Sequence, residues 1–203
     1  MLLNSLNVVP VIFYKDKVME TEINWRSIIG GAIAGAILGY IMRRKPAPIK
    51  VERKIDLNRY QGKWYEIAAI PSKFEKGCIN VTSEYSLQND RTFNVVNECR
   101  VLESGNLKKS YGKAILRDPD TNSKFKIKFR GPFKRDYQIL SVGNEYEYAL
   151  AGDQSRKRLW ILSRKPVLSK NVVDQLIDIA KNEGFDIGKI VFIKHNHMNE
   201  PCY

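Results

Sequence analysis

Between Trp64 and Ser163 the chain offers eight strand-like segments in succession, joined by short turns and with no helical period between them. Few folds accept that order. The clearest segment is KFKIKFR, 124–130, where Phe125, Ile127 and Phe129 alternate with Lys124, Lys126, Lys128 and Arg130. Neighbouring side chains on a strand point to opposite faces, so this segment has one apolar face and one basic, wet face. The others are WYEIAAI (64–70), NVTSEYSL (80–87), TFNVVNECR (92–100), LKKSYGKAILRD (107–118), DYQILSV (136–142), YEYALAG (146–152) and KRLWILS (157–163). QNDR and DPDTNS supply turn chemistry between them.

The period changes only after the eighth segment. Ser169 can cap a helix in which Val172, Val173, Leu176, Ile177, Ile179 and Ala180 share one side, with Gly184 ending it; KIVFIK then reads as a short last strand. A helix with a single apolar face must pack against the outside of something. A closed antiparallel barrel provides that surface and removes exposed sheet edges. The expected fold is therefore all-β: an eight-stranded up-and-down barrel with a C-terminal α-helix.

Ahead of the barrel, Ser27 to Met42 runs sixteen residues without a charge, preceded by Trp25 and Arg26 and followed by Arg43, Arg44 and Lys45. As a helix that run is about 24 Å long; adding Ile23 to Trp25 and snorkelling arginines brings it close to the hydrocarbon thickness of about 30 Å. A signal-peptide core and a buried helix are the other readings. The run begins late and its basic residues lie mostly beyond it, which favours one uncleaved transmembrane helix. Gly31, Gly35 and Gly39 fall on one face of that helix and would let a second copy approach, giving a helix-mediated homo-oligomer. The expected organisation is an N-terminal segment 1–22, a span 23–42, a linker 43–52, a barrel 53–195 and a tail 196–203.

The net charge of +12 is spread over the chain: residues 1–50 hold seven Lys/Arg against three Asp/Glu, and residues 51–203 hold twenty-seven against nineteen. A diffuse basic surface favours anionic surfaces such as headgroups, and no nucleic-acid motif accompanies it. Nucleic acid is not an expected partner. Three cysteines without zinc spacing, and two histidines confined to the end of the chain, give no metal site and no expected cofactor.

Cys78 and Cys99 lie near the outer ends of the second and third strands. If the turn centres on Asn89 and Asp90, they come within a bulge of facing each other, so a cross-strand disulfide is expected, with two buried thiols as the other reading. Cys202 reads as a free tail thiol or an interchain one. Asn80 opens an N-glycosylation sequon, NVT. Disulfide and glycan both call for an oxidising compartment. The Lys/Arg excess after the span instead places the barrel on the cytoplasmic side. The expectation adopted is a single-pass membrane protein with an extracytoplasmic barrel.

GKWYEIA at 62–68, DYQIL with YEYALAGDQ, and LWILSRKP ending past Arg164 resemble the three signatures of the lipocalins, in the bacterial and apolipoprotein D-like branch, over roughly residues 53–195. The resemblance implies that Trp64 sits at the closed end of the barrel under the guanidinium of Arg164, with Gly62 admitting the turn into the first strand. These would be structural rather than catalytic residues. It also implies a small lipophilic ligand, such as a fatty acid or a lysophospholipid, inside the barrel. Alternation puts Phe125, Ile127 and Phe129 inward, and parity adds Tyr85, Phe93, Tyr137 and Ile139 as ligand-binding candidates. A filled barrel with no cavity is the competing packing. The expected function is a membrane-tethered carrier, store or scavenger and not an enzyme. Its alternatives are a lipocalin-fold enzyme acting on a lipid-like substrate, or a basic interaction module with a filled barrel. An enzyme would need a cavity-facing thiol or an acidic pair, and no such pair is evident in the sequence.

Overall fold

The computed structural model describes residues 46–52, 54–71, 75, 77–129, 131 and 134–196. The expectations for 1–22, for the span 23–42 with Gly31, Gly35 and Gly39, and for Cys202 in the tail lie outside these residues. Among the described residues no helix is long and apolar enough to cross a membrane.

A short helix, α1 (Leu57–Tyr60), leads into eight antiparallel strands: β1 (Gly62–Ile70), β2 (Cys78–Asn89), β3 (Thr92–Val101), β4 (Leu107–Leu116), β5 (Lys124–Lys128), β6 (Lys134–Val142), β7 (Tyr148–Gly152) and β8 (Leu159–Ser163). Each strand pairs with the next, and β1 pairs with both β8 and β2, so the sheet closes on itself. β1 pairs with β2 only over Gly62–Tyr65. Further along, a two-residue strand β9 (Val191–Phe192) takes the vacated edge at Ala68 and Ala69. The observed architecture is the expected barrel. Its β5 ends at Lys128, which pairs with Lys134 at the start of β6.

Alternation along the strands builds two cores. Inside the barrel lie Trp64, Tyr85, Phe93, Val95, Phe125, Ile127, Tyr137, Ile139, Ala149, Ala151 and Leu162, with Ile55, Leu57 and Tyr60 from the entry segment. Outside, Ile67, Leu150 and Ile161 face the helix α2 (Lys170–Asn182), which buries Val173, Leu176 and Ala180 against them. The spacing of those three is the helical stripe read from the sequence, and each large side chain so buried contributes about 1.5–3 kcal/mol. Ser169 stands at the N-cap, but its side chain makes no capping hydrogen bond; only its carbonyl receives Val173 N–H, at 3.1 Å.

Residues 46–52, part of the expected linker, lie against the barrel. Ile49 is buried in the helix-side core, Glu52 N–H donates to Ile139 O at 2.9 Å, and Gln154 Nε2 donates to Ala47 O at 3.0 Å. An apolar side chain with a slot to fill, and backbone groups with partners, hold this segment in place.

Candidate ligand site inside the barrel

One end of the barrel is shut by Trp64 and Arg164. Trp64 is 0% exposed and its Nε1 donates to Tyr60 O at 2.9 Å. The Arg164 guanidinium carbon stands 3.7 Å from the centre of the Trp64 ring, a cation–π contact of the order of 1 kcal/mol. Its nitrogens donate to the carbonyls of Lys63 (2.9 Å), Arg59 (2.7 Å), Gln61 (2.9 Å) and Tyr146 (3.2 Å). Carbonyls at a helix C-terminus have no partner within the helix, and a cation placed there satisfies them. One arginine therefore caps α1, anchors the β6–β7 turn and covers the tryptophan. Gly62 has a φ of +94° and the guanidinium lies 3.4 Å from where its Cβ would be, so a side chain there would meet both strain and crowding.

Above this floor aromatic rings fill the lower barrel. Tyr60 stacks at 5.1 Å from Trp64 and 5.6 Å from Tyr85; Tyr85 lies 6.0 Å from both Phe93 and Tyr137, and Phe93 lies 5.8 Å from Phe125. The hydroxyls of Tyr60 and Tyr137 share a hydrogen bond of 2.7 Å. Burial pushes Tyr85 up to about 12 and raises Tyr60 and Tyr137 well above the usual phenol value, so all three are neutral donors and acceptors.

The open volume inside is small, about 50 Å³. Tyr85, Ile127, Phe129 and Tyr137 line it, whereas Phe93, Phe125 and Ile139 are buried in the interior packing around it. The seven apolar residues expected to face inward all join the interior core, Phe129 as a half-buried member, but only four of them border free space.

Polar groups that the sequence reading did not single out border it too: Glu75, Ser83, Asn97, Arg135 and Trp160. Trp160 Nε1 donates to Glu75 Oε1 at 3.5 Å. Glu66, 2% exposed, has a carboxylate oxygen, Oε1, with no hydrogen-bond partner among the described residues. Burial first, and Glu75 second, hold its pKa well above the ordinary carboxylate range. Glu75, on the β1–β2 connection, thus acts on Glu66 of β1 through its charge, and of the two only Glu75 borders the free volume. Parity carried part of the signal: Glu66 follows inward Trp64 by two residues, Ser83 precedes Tyr85 by two, and Asn97 follows Val95 by two.

At the other end of the barrel Cys78 and Cys99 are joined by a disulfide, with Cα atoms 5.7 Å apart. Cys78 faces Val101 in the ladder, so the bond runs diagonally between β2 and β3 rather than straight across. Asn80 sits at the neighbouring bulge with a φ of +53°, and its Oδ1 accepts Asn196 N–H at 2.7 Å.

The family model of the lipocalin-like domain matches residues 55–195. The chain is 37% identical to the outer membrane lipoprotein Blc of Escherichia coli K12, over 73% of this chain and 84% of that one. It is 35% identical to temperature-induced lipocalin-1 of Arabidopsis thaliana, over 70% and 80%. With mouse apolipoprotein D it shares 30% identity over 71% and 79%. Among solved structures, insecticyanin from the tobacco hornworm aligns with a TM-score of 0.60 at 20% identity, covering 73% of this chain and 85% of that one, a likeness of fold.

Proposed function

Since this chain belongs to the lipocalin family, we propose that it binds small hydrophobic molecules, fatty acids or lysophospholipids, and carries, stores or scavenges them rather than transforming them. The observation that supports this reading best is the barrel itself: shut at one end by Trp64 and Arg164, with Tyr85, Ile127, Phe129 and Tyr137 around a free volume. Apolar walls with a few polar tips suit a chain-like ligand with one polar end. The apolar segment 23–42 tethers the barrel to a membrane, where such ligands are most concentrated, and its relative Blc is an outer membrane lipoprotein. The Cys78–Cys99 disulfide and the Asn80 sequon fit a barrel on the extracytoplasmic side.

Native mass spectrometry of the full-length protein from cells tests the reading. A co-purifying acyl lipid supports it. A protein that emerges empty and takes up neither added fatty acid nor lysophospholipid overturns it. Alkaline extraction tests the tether: the chain should stay with the membrane pellet, and release into the supernatant would count against a spanning segment.

A further inference from the structure

Among the described residues β4 pairs with β5 from Lys113↔Lys128 to Leu116↔Phe125, and β4 itself begins at Leu107. Around the end of that ladder, lined by residues of β3, β4, β5 and the start of β6, lies a cleft of about 530 Å³. The interior volume is about 50 Å³, room for a water molecule or two, whereas ligand pockets run to about 300–1,000 Å³. Of these two adjoining spaces, the cleft is the one with the size of a ligand.

Two side chains, Val95 and Phe129, line both spaces. Val95 is fixed in the interior core; Phe129, just past the end of β5, is half-buried. Its ring rests on Gly112: a Cβ at position 112 would come within 2.8 Å of Phe129 Cδ1. The missing side chain of Gly112 is what allows the ring to close the seam, so Phe129 is the partition between cavity and cleft.

The cleft has a definite chemistry. Tyr111 and Ile115 are 67% and 39% exposed there, large apolar side chains on an outward strand face. Lys113, Lys126, Lys128 and Lys134 surround them, and no carboxylate is among the lining residues. Lys126 is held by Asp136 at 2.6 Å; the other three form no ion pair among the described residues. An apolar trough rimmed by three spare ammonium groups complements an anionic head on an apolar chain.

We propose that a single-chain anionic amphiphile binds across this seam, its carboxylate or phosphate head at Lys113, Lys128 and Lys134 and its chain passing Phe129 into the barrel. The inference rests on the carrier reading above and gives it a route and a head-group class. Rotation of one ring joins the two volumes.

The full-length protein is titrated with 12-bromododecanoate, whose terminal bromine quenches a nearby indole, and Trp160 lines the interior cavity. Saturable quenching that Trp160→Phe removes places the chain end inside. The triple variant Lys113→Glu, Lys128→Glu, Lys134→Glu should then bind the bromo-acid about tenfold more weakly, while the uncharged 12-bromododecan-1-ol changes by less than about twofold. Competition by dodecanoate against dodecyl phosphate tells which head fits better. Phe129→Ala should speed the onset of quenching in a protein with its lysines intact. Unchanged bromo-acid affinity in the triple variant, or an unchanged rate in Phe129→Ala, overturns the seam and leaves the carrier reading standing. No quenching by either probe overturns both. Adsorption to anionic vesicles without quenching by the monomeric probes would make the cleft a membrane-docking face and overturn the proposal.

Discussion

The two ends of this barrel are held by different physics. At the closed end one cation, Arg164, meets the carbonyls of Lys63, Arg59, Gln61 and Tyr146 and the face of Trp64, and the loss of any single bond leaves the rest in place. Toward the open end and along the β4–β5 seam fewer such contacts form among the described residues. Glu66 Oε1 and Asn97 Oδ1 have no hydrogen-bond partner among the described residues, and a ring resting on a glycine closes the wall. A covalent bond, Cys78–Cys99, holds the rim where the non-covalent network is sparse. The denser hydrogen-bond network lies where the cup is shut, and the carrier reading proposed above has a ligand enter through the other half.

The sharpest way to break that contrast is at the floor. Trp64→Ala removes a fully buried indole together with its hydrogen bond and its cation–π contact, and should cost about 3–5 kcal/mol, measured by urea unfolding. Arg164→Lys keeps the charge but loses the planar fork, so several carbonyls become unsatisfied, and a smaller loss of about 1–3 kcal/mol is expected. A loss below about 1 kcal/mol for Trp64→Ala, within reach of a surface substitution, would mean that the closed end is no firmer than the rim.

At the rim the disulfide spans a sequence separation of 21, and closing a loop of that size stabilises by about 3 kcal/mol in the chain-entropy picture. The pair Cys78→Ser, Cys99→Ser should lose that amount in denaturant melts, more than any single non-covalent contact near the mouth. If the reduced pair melts with wild type, the rim is held by packing of Val81 and Ile193 around those positions instead.

Much of this was legible in the sequence, for a stated reason. Strand alternation reports which face is apolar, so the eight strands, the helix stripe of Val173, Leu176 and Ala180 and the inward set from Tyr85 to Ile139 could be read from period alone. Trp64 and Arg164 needed the family resemblance, because no local pattern links residues a hundred positions apart. The free volume was not legible. Whether Phe93 or Phe125 borders space or another ring depends on how side chains interlock across the barrel, which period does not encode. Glu66 was missed for the opposite reason: its parity was plain, but an acid in an apolar strand reads as an outward residue. The seam was hidden too, since it follows from β5 ending at Lys128, one residue before Phe129.

Glu66 offers a smaller and signed effect. Its pKa is raised in the folded state above the ordinary value of about 4.5, by burial and then by Glu75. The folded protein therefore holds a proton that the unfolded chain releases as pH climbs past that ordinary value. Stability should be greatest below it and fall as pH rises toward the raised folded value. Glu66→Gln removes this titration. Its melting temperature should be flatter with pH than that of wild type between pH 5 and 8, with an advantage at pH 8 of about 2–4 °C, what 1 kcal/mol is worth in a chain of this size. Parallel curves would mean that Glu66 is already relieved by a neighbour.

The smallest effect is expected at Phe129, and its smallness is the point. A fully buried phenylalanine cut to alanine costs about 3–5 kcal/mol, but Phe129 is half-buried, lies beyond the end of β5 and packs on a glycine rather than into interlocked side chains. Phe129→Ala should cost only about 1 kcal/mol, while Phe93→Ala, 1% exposed a few residues deeper, should cost the full amount. The pair measures the contrast between wall and floor with one chemistry at two sites. Equal losses would mean that the seam is packed as tightly as the interior, and that ligands must enter past the disulfide-held rim.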